Sequence, residues 1–278
     1  MTDDTQRAKA EAFARLHRGP KLLVLANSWD VASSRLIEAA GFPAVATSSA
    51  AVAWALGYPD GENISRDEMV DMVRRIAAAV RVPVTADMEA GYGQAPEAVA
   101  ETVRATLAAG AVGLNIEDSD AHAGHRLLDR TLAVERIRAA REAADKAGVN
   151  AVINARTDAF FPTAMTDGDR FAEATARANA YLAAGATCVF VPFTTDAGVI
   201  GRLAREIEGP LNILARPGTP PLAELKALGV ARVSVGGALA TAAYSVVRRA
   251  AAELEGPGTY DFADGAIPHP EMNKLVGG

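Results

Sequence analysis

Short apolar runs alternate with longer amphipathic stretches along almost the whole chain. Residues 21–26 (KLLVLA) read as a strand, Asp30 as the cap of an amphipathic helix over 31–40, and Gly41 as its stop. The same cycle then repeats, with strands predicted at 43–47, 82–87, 111–117, 150–155, 187–191, 210–214 and 231–235. Helices are predicted between and after them, at 65–80, 96–109, about 131–147, 169–184, 197–208, 222–228 and about 237–254. Asp67 and Glu68 suit the positive end of the helix over 65–80, and Gly110, Gly148 and Gly185 stand at helix stops. The strands are nearly continuous apolar runs, which is what a parallel sheet covered on both faces requires. Eight such βα units close as an α/β (β/α)₈ TIM-type barrel; six units on an open sheet are the lesser rival.

Length fits this reading. The chain has 278 residues, and barrels of roughly 250 residues are routinely one domain. Residues 1–278 are therefore expected to form a single barrel domain, with a C-terminal arm from about 256 to 278. That arm either packs on a neighbouring subunit or stays loose, and its composition favours neither. Half of the residues are apolar, yet no run approaches the roughly 18 needed to span a membrane. Residues 1–9 are polar and charged and lack the apolar stretch of an export signal, so a cytoplasmic protein is expected. The lone cysteine, Cys188, excludes an internal disulfide framework and reads as a buried structural thiol. A net charge of −6, without basic clusters carrying aromatics, argues against nucleic acid as a partner.

Chemistry in a barrel collects where strands end and loops begin. Asn27 and Asp30 follow the first strand, and Thr47, Ser48 and Ser49 the second. Strand three ends in Asp87-Met88-Glu89-Ala90-Gly91-Tyr92-Gly93, strand four in Asn115-Ile116-Glu117-Asp118, and strand five in Asn154-Ala155-Arg156-Thr157-Asp158. Carboxylates gathered at one mouth repel each other, and burying them unpaired costs several kcal/mol apiece. A bound dication removes that cost. Hard oxygen ligands without His or Cys point to Mg²⁺, with Mn²⁺ as second choice, held by Asp87, Glu89 and Glu117. Arg156 suits an anionic substrate because a guanidinium forks onto a carboxylate or phosphate, and Arg216 after strand seven offers a second cation.

These motifs resemble the isocitrate lyase and phosphoenolpyruvate mutase superfamily. The resemblance rests on 87–93 as its acidic D-x-D-x-G-Y-G turn and on Gly113-Leu114-Asn115-Ile116-Glu117-Asp118 as its G-x-x-I-E-D strand end. The stretches 154–158 and 48–60 (SSAAVAWALGYPD) match as well, so the likeness spans about 23–237. It implies a barrel whose eighth helix is exchanged between subunits of a homodimer or homotetramer. It further implies Mg²⁺ held mainly at Asp87, with Glu89 and Glu117 reaching it directly or through water. The substrate's carboxylate would lie near the backbone of Ser49 and Ala50 and the side chain of Ser48. Arg156 matches the substrate-anchoring arginine, and Asp60 an acidic group near the metal.

The loop after strand four departs from the pattern. Lyases of that superfamily carry a Lys-Lys/Arg-Cys-Gly-His motif there, and its cysteine is the general acid. This chain has Ala121-His122-Ala123-Gly124-His125-Arg126, with Ala123 where the cysteine would be. The Lys-x-Asn-Ser pattern of the phosphonomutases is absent too. What survives is the core for breaking or forming a C–C bond beside the carbonyl of a small 2-oxo acid, through a metal-stabilised enolate. His125, His122 and Tyr92 are the candidate proton donors. Two other readings stand beside a lyase or decarboxylase: a C–P phosphonomutase or phosphonopyruvate hydrolase, and a metal-dependent 2-oxo acid binder without catalysis.

Overall fold

A computed structural model of the chain describes residues 4–165 and 168–277. Eight parallel strands form a closed barrel in sequence order: Leu23–Leu25 continued by Asn27–Ser28, then Val45–Thr47, Val84–Asp87, Gly113–Glu117, Val152–Arg156, Cys188–Val191, Leu211–Leu214 and Arg232–Ser234. Closure depends on the break in the first strand. Its first half pairs with strand eight (Leu23 with Arg232, Leu25 with Ser234), and its second half pairs with strand two (Asn27 with Ala46, Ser28 with Thr47). The Asn27 side chain clasps the seam, donating to Thr47 O at 2.8 Å and accepting from the Val235 and Gly236 amides at 2.9 and 3.0 Å. Each predicted strand is present and starts one or two residues later than expected, while the first runs on to Ser28 and the fifth to Arg156.

The helices follow the predicted punctuation. Asp30 and Ser65 close capping boxes, Asp129, Asp169 and Asp196 cap three further helices, and Pro96 opens another at its first turn. Gly41, Gly110, Gly148, Gly185 and Gly229 all take positive φ at helix ends. Between strands and helices lies a large apolar core, mostly Val, Ile, Leu and Ala, with a smaller second cluster formed by Ala26, Ile37, Val45, Ile76, Val80 and Val84.

Among the described residues, three elements before the fifth strand lie outside the predicted cycle. Helix Asp4–Leu16 closes the bottom of the barrel, with Ala10 and Phe13 fully buried and Gln6 donating to Leu107 O and Ala111 O. Phe13 reaches so near Gly113 that a Cβ there would lie 2.9 Å from the ring. Just after this helix, His17 is buried, with Nδ1 2.9 Å from Phe13 O and Nε2 3.4 Å from Arg232 Nη1. Burial and the Arg232 charge lower its pKa to about 3, so it is neutral, donating from Nδ1 and accepting at Nε2. A short helix, Ser49–Ala55, follows strand two with Ser48 as its cap, and a small antiparallel hairpin (Ser119–Asp120 with Arg126–Leu127) follows strand four.

The eighth helix, Ala238–Glu255, buries only Ala240 and leaves Leu239, Tyr244, Val246, Val247 and Leu254 exposed. Beyond it, helix His269–Gly277 packs on helix Val31–Ala39 of the same chain, so the arm is folded. Cys188 is buried and burial pushes its thiol up to about 12, in keeping with a structural role. No helix among the described residues is long and apolar enough to cross a membrane.

Candidate active site

A cavity of about 330 Å³ opens at the C-terminal mouth of the barrel. It is lined by Ser48, Ser49, Ala50, Asp60, Asp87 and Glu89, and across from these by Glu117, His125 and Arg156. Nine of the residues anticipated from sequence therefore meet in one place. Tyr92 and Arg216 do not line it. Tyr92 packs, partly buried, against the core, its hydroxyl buried without a partner and its pKa raised by burial and by Glu89. Arg216 stands exposed on the loop after strand seven, so the second cation is absent from the lining. His122 is likewise exposed, on the outer turn of the hairpin.

The three carboxylates expected to share a metal enter the cavity with different partners. Asp87 Oδ2 accepts from the Ser49 amide and hydroxyl at 3.1 and 2.9 Å, and Oδ1 accepts from Asn115 at 3.1 Å. Asn154 in turn donates to Asn115 at 2.8 Å, so a relay across strands four and five orients Asp87. Glu89 accepts from the Glu62 amide with Oε2, while its Oε1 is buried with no partner. Glu117 accepts from Arg156 Nη1 at 2.5 Å. Among the described residues, no three acidic, His or Cys side chains converge tightly enough to hold a metal as they stand.

Electrostatics at the mouth are strained. Burial, with the charges of Asp60 and Asp87, raises the Glu89 carboxyl to about 8, against the pull of the Glu62 amide. Burial also raises Glu117 well above the usual carboxylate range, opposed by Arg156 and reinforced by Asp158 and Asp87. Asp60, at the rim, is raised by the protein around it and by Asp87. Four carboxyl groups thus press on one another around an oxygen-only donor set that contains an orphaned carboxylate oxygen. Such a set fits a hard divalent cation, whose charge would relieve the crowding.

Arg156 works at the centre of this set. Its Nε donates to Asp158 at 2.6 Å and its Nη1 to Glu117, and Asp158 also accepts from Ser119 at 2.5 Å. Burial alone would lower the guanidinium pKa, but Asp158 and Glu117 raise it above its ordinary value, so Arg156 is a fixed cation.

The acidic turn after strand three is held from outside the cavity. Arg136, 1 % exposed on helix Arg130–Lys146, donates to Gly93 O at 2.6 Å, to Gln94 O at 2.8 Å and to Ala90 O. Gly91 and Gly93 take φ of +87° and +151°, and a Cβ on Gly93 would meet Ala98 at 2.7 Å. The hairpin after strand four folds over the mouth. Gln94 donates to Asp120 and Thr163 to Gly124 O, each at 2.7 Å, and the His125 ring stacks on Phe161 at 4.1 Å. Ala121 and His125 of this loop line the cavity, whereas Ala123 is exposed.

Sequence reasoning missed Glu62, Phe161, Phe193 and Leu214, which also line the cavity. Five described non-glycine residues have positive φ: Glu62, Glu89, Tyr92, His125 and Phe193. Four of them line the cavity, which is where held backbone strain commonly marks function.

Comparison with known proteins bears on the family and the fold. The family model for phosphoenolpyruvate phosphomutase matches residues 13–255. An uncharacterized protein of Mycobacterium tuberculosis H37Rv is 36% identical over 225 residues, 81% of each chain. An oxaloacetate decarboxylase of Rhodopseudomonas palustris BisB5 is 32% identical, covering 94% of this chain and 87% of its own. The crystal structure of a provisional lyase/mutase from Burkholderia cenocepacia J2315 superposes with a TM-score of 0.92 at 41% identity, covering 99% of this chain and 98% of that one.

Proposed function

This chain belongs to the phosphoenolpyruvate phosphomutase family, within the isocitrate lyase superfamily that its motifs resemble, and from that premise we propose a Mg²⁺-dependent carbon–carbon lyase or decarboxylase acting on a small 2-oxo carboxylic acid or its aldol adduct. The observation that carries this reading is the crowd of carboxylates with the unpartnered Glu89 oxygen, facing a fixed Arg156. Asp87 would hold the ion, with Glu89 and Glu117 reaching it directly or through water. When bound, the ion supplies Lewis-acid stabilisation of negative charge on the 2-oxo oxygen, a contribution of several kcal/mol in such sites.

The remaining work falls to the chain. Arg156 uses Nε and Nη1 on Asp158 and Glu117, which leaves Nη2 to meet the substrate carboxylate. Ser48, the Ser49–Ala50 backbone and the Gly236–Gly237 turn close the opposite side of the cavity. His125, which lines the cavity, would move the proton that the absent loop cysteine would have carried. Asp60 sits beside Asp87 as a second acid–base group.

Metal removal tests the reading. Activity against oxaloacetate, isocitrate, methylisocitrate and phosphonopyruvate will be lost on chelation with EDTA and restored by Mg²⁺ or Mn²⁺. Equal rates after full chelation would refute it. The family's description gives a second reading its support: turnover of phosphonopyruvate alone would make this a C–P mutase or hydrolase. Metal-dependent binding with no turnover would make it a binder.

The same proposal includes one (β/α)₈ domain with a C-terminal arm, in a cytoplasmic homodimer or homotetramer. The apolar residues left exposed along Ala238–Glu255 support exchange of that helix with a second copy. Light scattering will then report a dimer or larger, and Val247→Asp will shift it toward monomer. A wild-type monomer at micromolar concentration would reject this assembly.

A further inference from the structure

The hairpin over the mouth and the Arg156 guanidinium share one buried root. Asp118 follows strand four where the hairpin begins, and its carbonyl accepts from the Leu128 amide at 2.8 Å where the hairpin ends. The Asp118 side chain, buried, is a joint. Its Oδ1 accepts from the Asp158 amide at 2.9 Å, and its Oδ2 from the Tyr181 hydroxyl at 2.6 Å and Arg177 Nη1 at 3.2 Å. Arg177 Nη2 also donates to Leu128 O at 2.8 Å, so one guanidinium holds both ends of the hairpin. Tyr181 and Arg177 stand four positions apart on helix Arg170–Ala183, on one face of it, and both are buried.

Asp158 passes this order on to the cavity. Its Oδ1 accepts from Arg156 Nε at 2.6 Å, and its Oδ2 from the hydroxyl of Ser119, the first residue of the hairpin, at 2.5 Å. Contacts therefore run from Tyr181 through Asp118 and Asp158 to Arg156, with a branch through Ser119 into the loop of His125. Asp118, Asp158, Arg177 and Tyr181 themselves lie behind the cavity lining, which includes Arg156, Ser119 and His125. Burial raises the Asp118 carboxyl, against the pull of Arg177 and with Asp158 adding to the rise. Two neighbouring carboxylates in so dry a place keep a fixed geometry only while donors satisfy them. The Tyr181 hydroxyl is one of those donors.

We infer that Tyr181 is a positioning residue for the reaction: through Asp118 and Asp158 it sets the angle of the Arg156 guanidinium and the root of the hairpin that carries His125. Ser119 holds the same joint from the cavity side. This rests on the lyase reading above, in which Arg156 anchors the substrate carboxylate.

Tyr181→Phe keeps the ring and withdraws one donor. Oxalate, a flat mimic of the 2-oxo acid, reads the anchoring when titrated by calorimetry with Mg²⁺ present, and Mn²⁺ affinity reads the carboxylate set. At a temperature where the variant is fully folded, oxalate affinity should fall about tenfold, with Mn²⁺ affinity changed by less than about twofold. On the panel acid that the wild type turns over, kcat/KM should fall about ten- to a hundredfold. Ser119→Ala should show the same selective loss and Ser119→Thr recover part of it, so the inference is tested even should Tyr181→Phe fold poorly. Arg156→Lys keeps the charge but cuts the Nε contact with Asp158. In that background Tyr181→Phe should cost less than about twofold more, because the path it acts through is already cut. Unchanged oxalate affinity and turnover in Tyr181→Phe and Ser119→Ala, an equal loss of Mn²⁺ affinity, or full additivity with Arg156→Lys each overturn the inference. The lyase reading survives all three while the wild type binds oxalate with Mg²⁺. A wild type that binds no oxalate with Mg²⁺ brings down the reading and the inference together.

Discussion

Asp87→Asn will abolish metal-dependent activity, lowering kcat/KM by about a thousandfold or more, the scale on which charge-stabilising groups act in such sites. The substitution is isosteric, so contacts with Ser49 and Asn115 retain their geometry, although the Asn115 contact must pair differently. What disappears is the negative charge nearest the centre of the carboxylate set. The fold should remain intact, since neither contact is part of the apolar core. Two measurements separate the outcomes: Mn²⁺ affinity by electron paramagnetic resonance, and thermal unfolding. Loss of Mn²⁺ affinity at unchanged Tm supports the assignment. Undiminished affinity for metal and for oxalate would remove Asp87 from the site and the proposed chemistry with it.

Arg136→Met has the second largest expected effect, and it acts from outside the cavity. Three carbonyls of the acidic turn, on Ala90, Gly93 and Gln94, lose their donor at a position where water has little access. Leaving buried acceptors unsatisfied costs roughly 1–3 kcal/mol each, and partial relaxation of the turn should bring the total to about 3 kcal/mol. For a chain of this size that is a fall in Tm of roughly 6–12 °C. Arg136 is a positioning residue, so the informative readout comes well below the transition. Metal affinity and kcat should drop at a temperature where the variant is fully folded, and Arg136→Lys should recover part of both. Reduced Tm with normal kcat and metal affinity would assign Arg136 to stability alone.

The barrel was legible because its signals are local. Apolar runs, helix caps and glycine stops each sit within a few residues of the boundary they set, as with Asp30, Ser65 and Gly110. Helix Asp4–Leu16 was missed because it is mostly polar and buries only two residues, Ala10 and Phe13. Their three-residue spacing was the available signal. The Ser49–Ala55 helix was hidden in a stretch of small apolar residues, and its cap, Ser48, had been read only for substrate contact.

Within the site, sequence placed Asp87, Glu89, Glu117 and Arg156 at one mouth because strand ends are set by the barrel itself. It could not foresee their partners. Arg136 acts on carbonyls more than forty positions away in the chain, and on its helix it resembles any surface arginine. Phe193 projects into the cavity from a left-handed backbone, and no periodicity encodes that φ. Arg216 and Tyr92 were placed at the correct strand ends, but loop geometry turned one outward and the other against the core.

The left-handed residues of the mouth set the terms on which this enzyme can be made more heat-resistant. Glycine at Glu62, Glu89, His125 or Phe193 would adopt the same backbone more easily, and each exchange would also remove a side chain that lines the pocket. Selection for thermal robustness and selection for turnover therefore oppose each other at these four positions. Stabilising changes belong at exposed positions of the outer helices that hold neither the acidic turn, as Arg136 does, nor a second copy of the chain.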